Sequence, residues 1–168
     1  MKTLKSLSRC LAGAGVLLFA AGSASAGVAV EYKNANDFFD VPKAADERAR
    51  VLTGMTKHFE KLGASLPAGQ QLDVEVLDID LAGRVEPRYG HGEDVRILRG
   101  GSDWPSMQVR YTLRSGEQVL ASGEGKLRNM MYSQRSNRYK RDDALRYEKQ
   151  MIDEWFTEIS SEKKIVAR

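Results

Sequence analysis

The stretch LPAGQQLDVEVLDIDLAG, Leu66 to Gly83, decides how the rest of the chain is read. It opens on a turn and continues as the strongest strand signal in the protein. Leu72, Val74 and Val76 alternate with polar residues and share one face, whereas Leu77, Ile79 and Leu81 share the other. The apolar phase slips by one residue between Val76 and Leu77, and a one-residue slip turns every later side chain over. Either a β-bulge absorbs the slip, or the strand is buried on different faces along its length. Beyond the slip, Asp78 and Asp80 point together, about 7 Å apart from the strand rise.

The segments on either side supply the layers around this strand. Upstream, GVAVEY, Gly27 to Tyr32, alternates as a short strand. A helix is expected from about Ala45 to Leu62, because Val51, Leu52, Met55, Phe59 and Leu62 recur at helical spacing. Gly63 and Pro67 fit its termination. Downstream, Gly83 to Gly92 reads as a loop and Asp94 to Leu98 as a short strand. Met107, Val109, Tyr111 and Leu113 alternate with Gln108, Arg110 and Thr112, and Ser115-Gly116 turns the chain back into a strand from Gln118 to Leu127. A last helix is expected from about Asp142 to Ser160, capped by Asp142 or Asp143, with Leu145, Ile152, Trp155, Phe156 and Ile159 as its apolar face. The order β-α-β-β-β-β-α implies an α+β two-layer sandwich. Its sheet is mixed but mostly antiparallel, and both helices cover one face.

The N-terminus reads as an export signal. Lys2, Lys5 and Arg9 precede the apolar run LAGAGVLLFAA, and Ser23-Ala24-Ser25-Ala26 supplies small residues before a cleavage point. The expected boundary follows Ala26. Residues 1–26 form the signal peptide and 27–168 a single domain, placed in the periplasm with no transmembrane segment after cleavage. The sole cysteine, Cys10, leaves with the signal, so the domain has no disulfide, thiol nucleophile or cysteine metal ligand. Cleavage also removes three of the 26 basic residues and none of the 23 acidic ones, leaving 23 of each. That balance argues against nucleic acid as a partner. One basic segment remains, Arg128 to Arg141, in which Arg135 and Arg138 are candidates for contact with anionic lipid or lipopolysaccharide phosphate.

Five segments, LPAGQQLDVEVLDIDLAGRVEP, DVRIL, WPSMQVRYTL, GEQVLASGEGKL and LRYEKQMIDEWF, carry a resemblance. From about Asp37 to Phe156 the chain resembles the uncharacterised bacterial family of the domain of unknown function 3016. Its specific parts here are D-x-D-L-A-G at Asp78 to Gly83 and R-Y-E-K at Arg146 to Lys149. The resemblance implies exported relatives without an assigned activity, and it brings no catalytic residues.

The residues themselves offer little catalytic chemistry. Only His58 and His91 are available as imidazole bases, and no G-x-S-x-G elbow is present. Asp78, Asp80, His91, Glu93 and Asp94 would make a metal or hydrolytic centre only if the Gly83–Gly92 loop folds back on the strand. A calcium loop motif is lacking. Cross-strand pairing of Asp78 and Asp80 with Arg84, Arg96 or Arg110 is the simpler expectation. The reading is therefore a non-catalytic binding or envelope-associated module with no cofactor and no metal. Its partner is an envelope component or another protein. Asp78, Asp80, Asp94, Arg96, Arg110, Arg135 and Arg138 are its candidate binding residues. The alternative is a small hydrolase or metal-dependent enzyme centred on Asp78, Asp80 and His91.

Overall fold

A computed structural model of the chain describes residues 26–86 and 95–161. The main sheet has four strands in the order β1-β2-β5-β6: β1 Gly27–Tyr32, β2 Gln70–Asp80, β5 Ser106–Ser115 and β6 Gln118–Arg128. β1 runs parallel to β2, connected through helix α1, Ala45–Gly63, and the remaining pairs are antiparallel. Helix α2 spans Arg146–Ser161. A second sheet of two short strands, β3 Arg84–Glu86 and β4 Val95–Ile97, stands apart from the first. The fold is thus α+β, as the sequence implies. β3 is an addition, because three residues are too short to show the period of a strand.

The phase slip in β2 is a bulge. Val76 pairs with Val109 of β5, and the next rung pairs Asp78 with Gln108, so Leu77 is the extra residue. The bulge restores the face: Ile79 faces inward opposite Met107, as Val76 does opposite Val109. The partner on the other edge changes at the same place. β1 ends at Tyr32 opposite Val76, and the chain rejoins at Asp40, which bridges Asp80. Between them Phe38 is buried edge-on against Tyr32, while Phe39 is 78 % exposed.

One core lies between the sheet and the helices. Leu72, Val74 and Val76 of β2 and Met107, Val109 and Leu113 of β5 meet Met55 and Phe59 of α1 and Met151, Ile152 and Phe156 of α2. Burying each such side chain is worth about 1.5–3 kcal/mol relative to leaving it exposed. On the other side of the sheet, Arg110 pairs with both Glu75 and Glu124, and Arg114 pairs with Asp73.

Three details depart from the pattern reading. Gly63 ends α1 without a left-handed conformation; a Cβ there would stand 2.9 Å from the Val28 backbone nitrogen, so its role is close approach to β1. Gly54, a mid-helix glycine that the sequence leaves open for close packing on a strand, faces Leu145 ahead of α2 instead. α2 begins at Arg146 instead of Asp142, because Asp143 Oδ1 accepts the Leu145 N–H at 3.0 Å and holds a turn in front of the helix.

Candidate functional site

The two segments most specific to the sequence resemblance meet. Past the end of β2 the chain turns at Ala82-Gly83, and the Ala82 N–H donates to Glu148 Oε1 at 2.8 Å. Glu148 belongs to R-Y-E-K in the first turn of α2 and is 1 % exposed. The turn needs glycine at 83, where φ is +75° and a Cβ would run into the Ile97 carbonyl oxygen. Arg96 of β4 closes the arrangement. Its Nη1 donates to the Ala82 carbonyl at 2.8 Å and to Asp40 Oδ2 at 3.4 Å.

A cavity of about 210 Å³ opens beside this junction. Arg96 and Leu98 line it from β4 and its continuation, Arg141 from the approach to α2, and Arg146, Tyr147 and Glu148 from the helix itself. Two buried polar atoms on its lining residues have no hydrogen-bond partner among the described residues: Glu148 Oε2 and Arg146 Nε. Such groups cost about 1–3 kcal/mol when left unpaired in a protein interior. Burial pushes the Glu148 carboxyl above the ordinary carboxylate range, although the Ala82 amide and Arg96 pull the other way.

The carboxylates around Asp80 extend the charge pattern. Asp40 is shifted upward by burial against the opposing pull of Arg96. Asp80 is raised first by burial, then by the charges of Asp40 and Asp78, with Lys126 and Arg96 opposing. Asp78 accepts the Phe39 N–H at 2.9 Å and so ties the returning chain to β2. The expected cross-strand arginine pairs form with other partners: Arg84 with Glu86, Arg110 with Glu75 and Glu124, and Arg96 with Asp40.

A second polar cluster joins the two helices. His58 of α1 is 5 % exposed, and its Nε2 lies 2.9 Å from Asp153 Oδ1 and 3.2 Å from the Lys149 carbonyl. Both partners accept, which assigns the proton to Nε2. The Tyr139 hydroxyl and Arg138 Nη2 each reach Asp153 Oδ2 at 2.5 Å. Burial lowers the His58 pKa and outweighs Asp153; burial also raises Tyr139 to about 12, aided by Asp153. An imidazole and a carboxylate in this arrangement form a clasp between helices. Arg135 pairs with Glu154 of α2 at 2.9 Å, so both candidate arginines of the basic segment, Arg135 and Arg138, reach back to α2 carboxylates.

Of the residues anticipated from sequence, Arg96 and Asp80 lie at the junction, with Asp78 two rungs away; Arg110 stands on the outer face of the sheet, and Arg135 and Arg138, in the segment between β6 and α2, pair with α2 carboxylates. His91 and Asp94 lie outside the described residues. Among the described residues no group of three or more His, Cys, Asp or Glu side chains is placed to hold a metal ion. Nor is any helix among them long and apolar enough to cross a membrane. Glu148 was not anticipated, yet it stands three residues after Leu145 and four before Ile152. A charged residue at that phase of an apolar stripe is the available signal.

Comparison with known proteins gives a family and a structural match. The family model described as protein of unknown function (DUF3016) matches residues 26–158. No curated protein matches the chain. Among solved structures, it is similar to the crystal structure of a Xanthomonas campestris protein of family DUF330, at 13% identity, over 80% of this chain and 81% of that one, with a TM-score of 0.33.

Proposed function

The chain belongs to the DUF3016 family, and from that premise we propose that it is an exported periplasmic protein with a non-catalytic binding role toward an envelope component. The observation that carries the binding role is Glu148. A carboxyl group 1 % exposed, with one oxygen unpartnered among the described residues, lines a cavity where D-x-D-L-A-G meets R-Y-E-K. Buried polar groups are normally paired, so an unpaired one on a residue that lines a cavity favours a ligand that pairs it. Export is supported by the basic, apolar and small-residue succession of residues 1–26. The first strand starts at Gly27 and the family match at residue 26, next to the expected cleavage point.

Cell fractionation followed by native mass spectrometry tests both parts. The full-length chain is expected in the periplasmic fraction with Gly27 as its first residue. It should carry a non-covalent adduct that Glu148→Ala loses. Retention in the cytoplasm with an intact N-terminus would overturn export, and an adduct-free periplasmic protein would overturn the binding role.

A further inference from the structure

The chemistry of the cavity narrows the ligand. Arg96, Arg141 and Arg146 bring three permanent positive charges to its lining. Arg146 offers a buried N–H with no acceptor, and Glu148 offers a buried oxygen with no partner among the described residues. An acceptor-only group satisfies both at once if Glu148 carries its proton. A cavity of about 210 Å³ gives room for a small acid.

Resting on the binding role proposed above, we infer that this cavity takes a small oxyanion, a carboxylate or phosphate group, paired by Arg141 and Arg146 beside Arg96 and receiving an O–H from Glu148. Arg96 is already engaged by Asp40 and the Ala82 carbonyl, so it supplies charge and holds the wall. Arg141 is exposed at the approach to α2 and closes the rim. Tyr147 stacks under Arg146, whose guanidinium carbon lies 5.0 Å from the ring centroid. The same ring meets Tyr132 edge-on at 4.7 Å, and the Tyr132 hydroxyl donates to Asp103 at 2.7 Å. The floor is thereby fixed from three segments.

The proton on Glu148 makes binding depend on pH. The charged groups around it are Arg96 on β4 with Asp40 behind it, Arg141 and Asp143 ahead of α2, and Arg146 and Lys149 on its own helix, the last paired with Asp143 at 2.6 Å. Burial is the largest influence and favours the neutral acid. As pH rises, ionisation of Glu148 sets a negative charge beside the anion and weakens binding.

Calorimetric titration of the mature protein with acetate and with inorganic phosphate separates the two sources of oxyanion. Saturable binding of either probe is expected, and the tighter of the two names the class. Acetate stays ionised between about pH 6 and about pH 8, and its affinity should fall as pH rises. Glu148→Gln, a neutral donor of nearly the same shape, should bind acetate equally at both pH values. Arg146→Gln should weaken binding at least tenfold. Arg141→Gln, at an exposed position that cannot unfold the core, should weaken it as well. Absence of saturable binding of both probes, leaving only an ordered water to pair the two atoms, would overturn the inference. So would arginine variants that bind like the wild type. A neutral or cationic adduct at this cavity in native mass spectra would overturn the anion assignment while leaving the binding role in place.

Discussion

At the scale of single residues, Glu148 and His58 show what a stripe conceals. Both fall on the apolar phase of their helices: Glu148 between Leu145 and Ile152, His58 between Met55 and Leu62. Periodicity reports the face a residue occupies and not the partner that makes burial tolerable, so the Ala82 amide and Asp153 could not be read from spacing. Glu148 carries a stability prediction with a definite sign. Its carboxyl is raised in the folded state, so its favourable contribution is complete below the ordinary glutamate range and is lost as pH rises through the folded value. Glu148→Gln keeps an acceptor for Ala82 and removes the charge. Urea unfolding should show the variant more stable than wild type by roughly 1–3 kcal/mol near pH 8, with the gap closing toward pH 4. A variant less stable at both pH values would mean that the ionised carboxylate is the form the fold needs. His58 has the opposite sign. Its pKa is lowered, so folding stability falls as pH drops below the ordinary histidine value of about 6.5. His58→Gln, which retains a donor toward Asp153, should flatten that acid limb.

At the scale of elements, the bulge was legible and the small sheet was not. The apolar phase of β2 must slip to keep Val76 and Ile79 on one face, and the slip is written in Val76-Leu77. β3 and β4 have three residues each, below the length at which alternation means anything. Glycine positions behave similarly, since a sequence marks a glycine without saying what stands over it. Gly54 and Gly63 both lie in α1, and each would bring a new Cβ within 2.7 Å or less of another side chain. They should nevertheless respond differently. At Gly54 the neighbour is the terminal methyl of Leu145, which can move, and alanine gains about 1 kcal/mol of helix propensity. Gly54→Ala is therefore expected within about 1 kcal/mol of wild type. At Gly63 the neighbours include the Val28 backbone nitrogen at 2.9 Å, in a strand fixed by its pairing with β2. Gly63→Ala should lose about 1–3 kcal/mol, read as a lower urea midpoint at unchanged slope.

At the scale of the whole molecule, stability rests on the core alone. The fold class was legible because every long element carries its own period and the helices bracket the strands. The relative placement of the two sheets was not, since nothing local determines it. The chain has a single cysteine, Cys10, ahead of the first strand at Gly27. A domain from Gly27 onward can form no internal disulfide, so its apolar cluster of sheet and helix residues supplies the cohesion that small exported domains often draw from cross-links. Folding should accordingly be indifferent to compartment. After refolding from urea, which releases any bound molecule, a chain from Gly27 to Arg168 made in the cytoplasm and the same domain recovered from the periplasm should unfold at the same midpoint, with or without a thiol reductant. Their transitions should also be equally cooperative. A periplasmic sample that is more stable, and becomes equal after dialysis against denaturant and refolding, would reveal a ligand acquired on export, because a bound molecule raises stability by mass action. A difference that survives refolding would instead show that residues ahead of Gly27 take part in the native fold, and the boundary after Ala26 would have to move.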